Sequence, residues 1–185
     1  MREKFIFMTF LILSSLTTIA FSETVTTSVG PFNVSFNETY PSFNITAEKA
    51  ECCGFVPYAY IGPIIRFPAD ISTDNSSGWI NIYVHTVSYN AENYSTMERT
   101  LNLLGNTGIE PYIIDGKQGA IGVSQINPSY RMALYWPNSS ISCILYLTTQ
   151  DDRIIKHLLD NMHIEVPKDL TPIKISATMC GSCMG

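Results

Sequence analysis

The sequence predicts an α+β fold, an antiparallel meander covered by helices, forming a single domain behind an N-terminal signal peptide. Three observations carry this expectation. Asp115-Gly116 lies between two apolar runs, Ile109 to Ile114 and Lys117 to Gln125, and an Asp-Gly pair supplies the two positive-φ positions of a tight hairpin turn. Pro137-Asn138-Ser139-Ser140 separates a second pair of runs, Tyr130 to Trp136 and Ile141 to Thr149. Ile154, Ile155, Leu158, Leu159 and Met162 then recur at the spacing of one buried stripe, so Asp151 to His163 reads as the covering helix.

Taken in order, the chain opens with Arg2 and Lys4, an apolar run from Phe5 to Ile19, and Ala20-Phe21-Ser22 as a small-x-small cleavage site. Residues 1–22 therefore read as a secretory signal peptide, and an uncleaved membrane anchor is the alternative. Residues 23–30 are rich in Thr, Ser and Val without periodicity and read as an N-terminal arm. Phe32, Val34 and Phe36 alternate with polar residues as in a half-buried strand, and Phe43, Ile45 and Ala47 repeat the pattern. Residues 50–54, with Cys52-Cys53 and a glycine, read as a loop. Tyr58 to Phe67 is strand-like but interrupted by Gly62-Pro63, and residues 70–78 read as a polar loop. Trp79 to Val87 is a strand with Ile80, Ile82, Val84 and Thr86 on one face and Trp79, Asn81, Tyr83 and His85 on the other. Ser95 and Glu98 fit a capping box that opens a helix ending at Gly105. The domain spans residues 31–166, and residues 167–185 form a tail ending in a Cys-x-x-Cys motif.

This order of elements resembles the PsbP-like fold. The resemblance is carried by Phe32-Asn33-Val34-Ser35-Phe36, by Leu101-Asn102-Leu103-Leu104-Gly105, by Ile114-Asp115-Gly116-Lys117 and by Arg153-Ile154-Ile155-Lys156-His157-Leu158-Leu159. It covers roughly residues 31–166 and implies a binding or assembly module, with no catalytic residues to carry over.

Composition narrows the function further. A chain with about 150 residues behind its signal can bury about 70% of its unfolded surface, so the fold needs no disulfide to hold it. The net charge of −5, without a Lys/Arg cluster, argues against nucleic acid or an anionic membrane surface as partner. Six Asn-x-Ser/Thr sequons, at Asn33, Asn37, Asn44, Asn75, Asn93 and Asn138, point to an exported glycoprotein. The site of action is then secreted, extracellular or at the cell surface. No nucleophile elbow, phosphate-binding loop or dinucleotide fingerprint is present, which argues against an enzyme of those classes.

The five cysteines are the most informative residues. Cys143 shares a strand face with Ile141, Leu145 and Leu147 and reads as core. Cys52, Cys53, Cys180 and Cys183 remain, and in an exported chain the default is a disulfide framework. An alternative is a soft-metal site, since four thiolates suit Zn(II) and paired cysteines flanked by Met179 and Met184 suit Cu(I). Thiol-disulfide exchange is a third reading, disfavoured because a helix normally follows such a motif to lower the thiol pKa, and after Cys183 only Met184 and Gly185 are present. His85, His157 and His163 show no metalloprotease spacing and read as surface or satisfied polar residues.

The leading expectation is a non-enzymatic, exported binding domain with no cofactor. It would meet an unidentified protein or surface partner through the Trp79 to Val87 strand and the Tyr130 to Trp136 hairpin, with Trp79, Tyr83, Tyr135 and Trp136 on the exposed face of the sheet, since Tyr and Trp are enriched at such faces. The alternative function is capture of Zn or Cu by the thiolates.

Overall fold

The computed structural model describes residues 23–37, 39, 42–52, 64–86 and 93–180. The expected signal peptide, Met1 to Ser22, lies outside them, as does the Gly62-Pro63 interruption. Among the described residues the strands are β1 Val25–Val29, β2 Phe32–Phe36, β3 Asn44–Ala47, β4 Glu51–Cys52, β5 Ile64–Thr73 and β6 Ser76–His85. They continue as β7 Asn106–Ile114, β8 Lys117–Ser124, β9 Tyr130–Asn138, β10 Ile141–Thr148 and β11 Met162–Glu165. The helices are α1 Tyr94–Leu103, α2 Asp152–Asn161 and α3 Thr171–Cys180.

Two antiparallel sheets result. The smaller has the order β1-β2-β11, and the larger runs β3-β5-β6-β10-β9-β8-β7 with β4 also paired to β5. This corrects the expected fold class: the protein is mostly β, with two sheets, and is not a helix-covered α+β sandwich. The meander β7-β8-β9-β10 is present as read, with Asp115 at φ 50° and Gly116 at φ 69° in its first turn.

Where sequence and structure differ, strand pairing has overridden local composition. The expected arm is β1, whose Val25, Thr27 and Val29 turn inward while Thr26 and Ser28 face solvent. The expected loop at 70–78 is a hairpin with only Asp74-Asn75 as its turn, because its polar residues lie on strands of unbroken register from Ile64↔His85 to Thr73↔Ser76. The expected loop at 50–54 contributes β4. The expected tail contains α3, which packs on β5 and β6 and hydrogen-bonds the β9–β10 turn through Lys174 Nζ to Ser140 Oγ at 2.8 Å. The last covering helix stops at Asn161, and Met162 and Ile164 become inward positions of β11 beside β2. The first helix is capped by Asn93, whose Oδ1 accepts the Ser95 N–H at 3.0 Å, so Ser95 is not the cap.

The main core lies between the sheets. Val29, Phe32, Val34 and Phe36 from the small sheet meet Phe67, Ile71, Ile80, Ile82, Ile141, Cys143, Leu145 and Leu147 from the large one, with Ile155, Leu158 and Leu159 of α2. On the opposite face of the large sheet, Met97 and Leu101 of α1 cover Ala120, Leu134 and Trp136. Two positions show how tightly the ladder is fitted. Gly78 faces Leu147, and a Cβ there would come within 1.9 Å of the Tyr146 carbonyl oxygen. Pro68 lies mid-strand in β5 with its carbonyl accepting from Glu48, in the gap between the β3 and β4 pairings, so its missing N–H breaks no ladder bond.

The far edge of the large sheet is β7. It carries Pro111, and its register with β8 shifts by a bulge between Thr107 and Glu110.

Candidate functional site

The aromatic residues expected on the sheet face divide sharply. Tyr83, Tyr135 and Trp136 are 1%, 1% and 2% exposed, which removes them as contact residues. Tyr135 points into the inter-sheet core, while Tyr83 and Trp136 belong to the core under α1. Alternation alone reports two faces of a strand, and at Tyr83, Tyr135 and Trp136 both faces are covered.

Trp79 is half-buried, and the reason is its place near the start of β6, at the margin of the core that α1 covers. Its ring stacks on Tyr146 of β10, with centroids 5.1 Å apart and planes 11° from parallel. Tyr130 of β9 leans on the other side of the pair, 5.3 Å from Tyr146. The register Tyr146↔Trp79 and Thr148↔Tyr130 places the three rings on one sheet face, and exposed Asp70 stands beside Trp79 across the strand pair. Burial and the neighbouring Tyr130 push the Tyr146 phenol up to about 12, so it remains a neutral hydrogen-bonding group at ordinary pH. Rigid, half-exposed rings of this kind offer large contact area with little rotamer entropy to lose. Tyr146 was missed because it alternates inside an apolar strand, and Tyr130, which opens the expected contact stretch Tyr130 to Trp136, was not singled out because it follows a turn. Cross-strand register, which a single sequence does not contain, is what joins them to Trp79.

A second feature lies where the first meander turn meets the end of α2. A groove of about 530 Å³ is lined by Asn37, Ile113, Asp115, Gly116 and the run from Leu159 to His163. Asp115 Oδ1 bonds His163 Nδ1 at 2.7 Å, and its Oδ2 accepts the Ile164 N–H at 3.2 Å. A carboxylate only accepts, so Nδ1 carries a proton and donates it to Asp115. Asp160 Oδ1 accepts the Tyr112 hydroxyl at 2.6 Å; burial and this carboxylate raise the Tyr112 phenol well above its ordinary value. Asp115 was read as a turn residue and His163 as a surface group. They are 48 residues apart, and nothing in either stretch signals the other.

His85 is buried, with Nε2 2.9 Å from Ser142 Oγ and its ring 5.4 Å from that of Trp136. Desolvation lowers its pKa to about 4, so it is a neutral core residue.

Cys53 and Cys183 lie outside the described residues, together with the side chains of Cys52 and Cys180. The topology nonetheless brings their elements to one strand: Cys52 pairs with Ile65 of β5, and α3, which ends at Cys180, packs on β5. Cys143 is buried with a free thiol whose pKa burial drives far up. Among the described residues no group of three His, Cys, Asp or Glu is placed to hold a metal ion. Of the sequon asparagines, Asn33, Asn37, Asn44, Asn75 and Asn93 are exposed and Asn138 is half-buried in the β9–β10 turn. No described helix is long and apolar enough to cross a membrane. No protein-family model, no curated protein and no solved structure matches this chain.

Proposed function

We propose that the chain is an exported, glycosylated binding domain acting at or outside the cell surface, and that it meets a protein partner through Trp79, Tyr130 and Tyr146. The observation that carries this reading is the Trp79–Tyr146 stack, left half-exposed on a sheet where Phe67, Tyr83, Tyr135 and Trp136 serve the two cores. The signal-like leader and the exposed sequons support export.

The test uses the full chain in its native host, with a photo-reactive residue in place of exposed Asp70 beside Trp79. The expected result is a discrete crosslinked partner that Trp79→Leu/Tyr146→Leu loses, with affinity for the isolated partner reduced about 30-fold, the scale of an aromatic hot spot. Leucine keeps the apolar cover, so the unfolding midpoint should stay close to that of the parent. A correctly folded double variant that retains the crosslink and the affinity overturns the reading.

A second reading is favoured by β4 and α3 each lying against β5. Cys52 and Cys53 with Cys180 and Cys183 would then fasten the C-terminal tail to the domain, as disulfides or as ligands of Zn or Cu. Intact mass spectrometry after alkylation of the native protein separates the cases. Bridging predicts at most one thiol, Cys143, alkylated only after unfolding; capture predicts reduced thiols with stoichiometric metal. Four alkylated terminal cysteines and no metal would exclude both.

A further inference from the structure

The three rings of the proposed face form a row with one open end. Tyr130 leans on Tyr146, and Tyr146 stacks on Trp79. The strand order puts β10 on one side of β6 and β5 on the other, so the face of the Trp79 indole that Tyr146 leaves uncovered looks across β5. What stands there is Asp70. It is the cross-strand partner of Trp79 and is exposed, while Ala69 and Ile71 on either side of it are buried in the core. Directly opposed residues have Cβ atoms about 5 Å apart, so the carboxylate and the open indole face border one space. Among the described residues the Asp70 carboxylate has no hydrogen-bond or ion-pair partner, and Trp79 has no ring contact besides Tyr146.

Both groups call for the same complement. A carboxylate attracts a cation, and the face of an indole, the negative part of its quadrupole, holds a cation better than other aromatic rings do. Of the two cationic side chains, arginine fits both at once. Its guanidinium is planar, so it can lie on the ring and turn a pair of N–H groups to the two oxygens of one carboxylate, whereas an ammonium is a compact, strongly hydrated point charge. The face itself offers no competing cation. Ser72, Ser77, Thr148 and Tyr130 make up the adjoining row and are uncharged, and Arg66, further along the same face of β5, is paired with Glu51. The net charge of −5 also favours a basic partner over a second copy of this chain. We infer that the partner presents an arginine, which stacks on the open face of Trp79 and pairs with Asp70. This rests on the reading of the Trp79 face as the contact surface and adds the chemistry of what it contacts.

The experiment keeps Asp70 by moving the photo-reactive residue to Ser77, exposed on the same face, and then measures the affinity of the full exported chain for the isolated crosslinked partner. Asp70→Asn removes the charge with little change of volume. It should weaken the complex about tenfold or more, the loss of one charge-assisted contact, and make the affinity less sensitive to salt. Asp74→Asn, at an exposed carboxylate on the neighbouring turn, should leave the affinity unchanged. Blocking the partner's arginines with phenylglyoxal should abolish binding, and acetylating its lysines should not. Full affinity in Asp70→Asn, equal losses from the two asparagine variants, or a complex that survives phenylglyoxal and is lost instead with the partner's lysine charges or its glycans each overturns the inference. If Trp79→Leu/Tyr146→Leu loses the partner while Asp70→Asn keeps full affinity, only the arginine falls. A double variant that retains the partner, or no crosslink from Ser77, overturns the contact surface and the arginine together.

Discussion

Replacing Phe32 by alanine is expected to destabilise the protein by about 3–5 kcal/mol, seen as a lower urea midpoint with an unchanged denaturant slope. Phe32 is fully buried and meets Phe67 of β5 edge-on, with centroids 5.5 Å apart and planes at 71°. It is thus one of the side chains by which the small sheet is seated on the large one. Both layers are hydrogen-bonded ladders, so neither can sag into the space the ring leaves, and the void keeps most of its volume. Against a typical total of about 5–15 kcal/mol the loss is large. Phe32→Leu, which refills much of the space, should recover more than half. A loss below about 1 kcal/mol for alanine would mean the two sheets do not share a packed core.

Acidification should weaken the fold through His85. Its folded pKa of about 4 lies below the ordinary 6.5, because burial disfavours the imidazolium. The unfolded chain therefore binds a proton that the native chain refuses, and stability rises with pH between the two values. The contribution is fully present above about 6.5 and is lost progressively as the pH falls toward 4. Taken over that interval it amounts to about 3 kcal/mol. Urea titrations at pH 7 and pH 4.5 should show the difference, and His85→Gln, which can still bond Ser142, should lose most of it. An equal acid-induced loss in the glutamine variant would assign the effect to carboxylates instead.

The meander was legible because its signals are local. Asp115-Gly116 specifies a turn by backbone conformation alone, and the apolar runs on either side need no knowledge of the rest of the chain. Cys143 could be placed in the core for the same reason, from its neighbours Ile141 and Leu145. Of the second sheet only β2 was legible, from the alternation of Phe32, Val34 and Phe36. Its strands are four or five residues long, β1 is built from Thr, Ser and Val, and β11 continues the apolar stripe of α2 through Met162 without a break. What makes Met162 to Glu165 a strand is β2, more than a hundred residues earlier. The sites divide in the same way. Trp79 was found by residue type, whereas Tyr146 and the Asp115–His163 pair are products of register and tertiary approach, and composition carries no trace of either.

The margin formed by β7 has a further consequence. An open strand edge is where one copy of a chain could add to another. Pro111 withholds a donor there and the kink between Thr107 and Glu110 throws the remaining donors out of line. That edge is therefore a poor template for the strand-by-strand addition of a second copy.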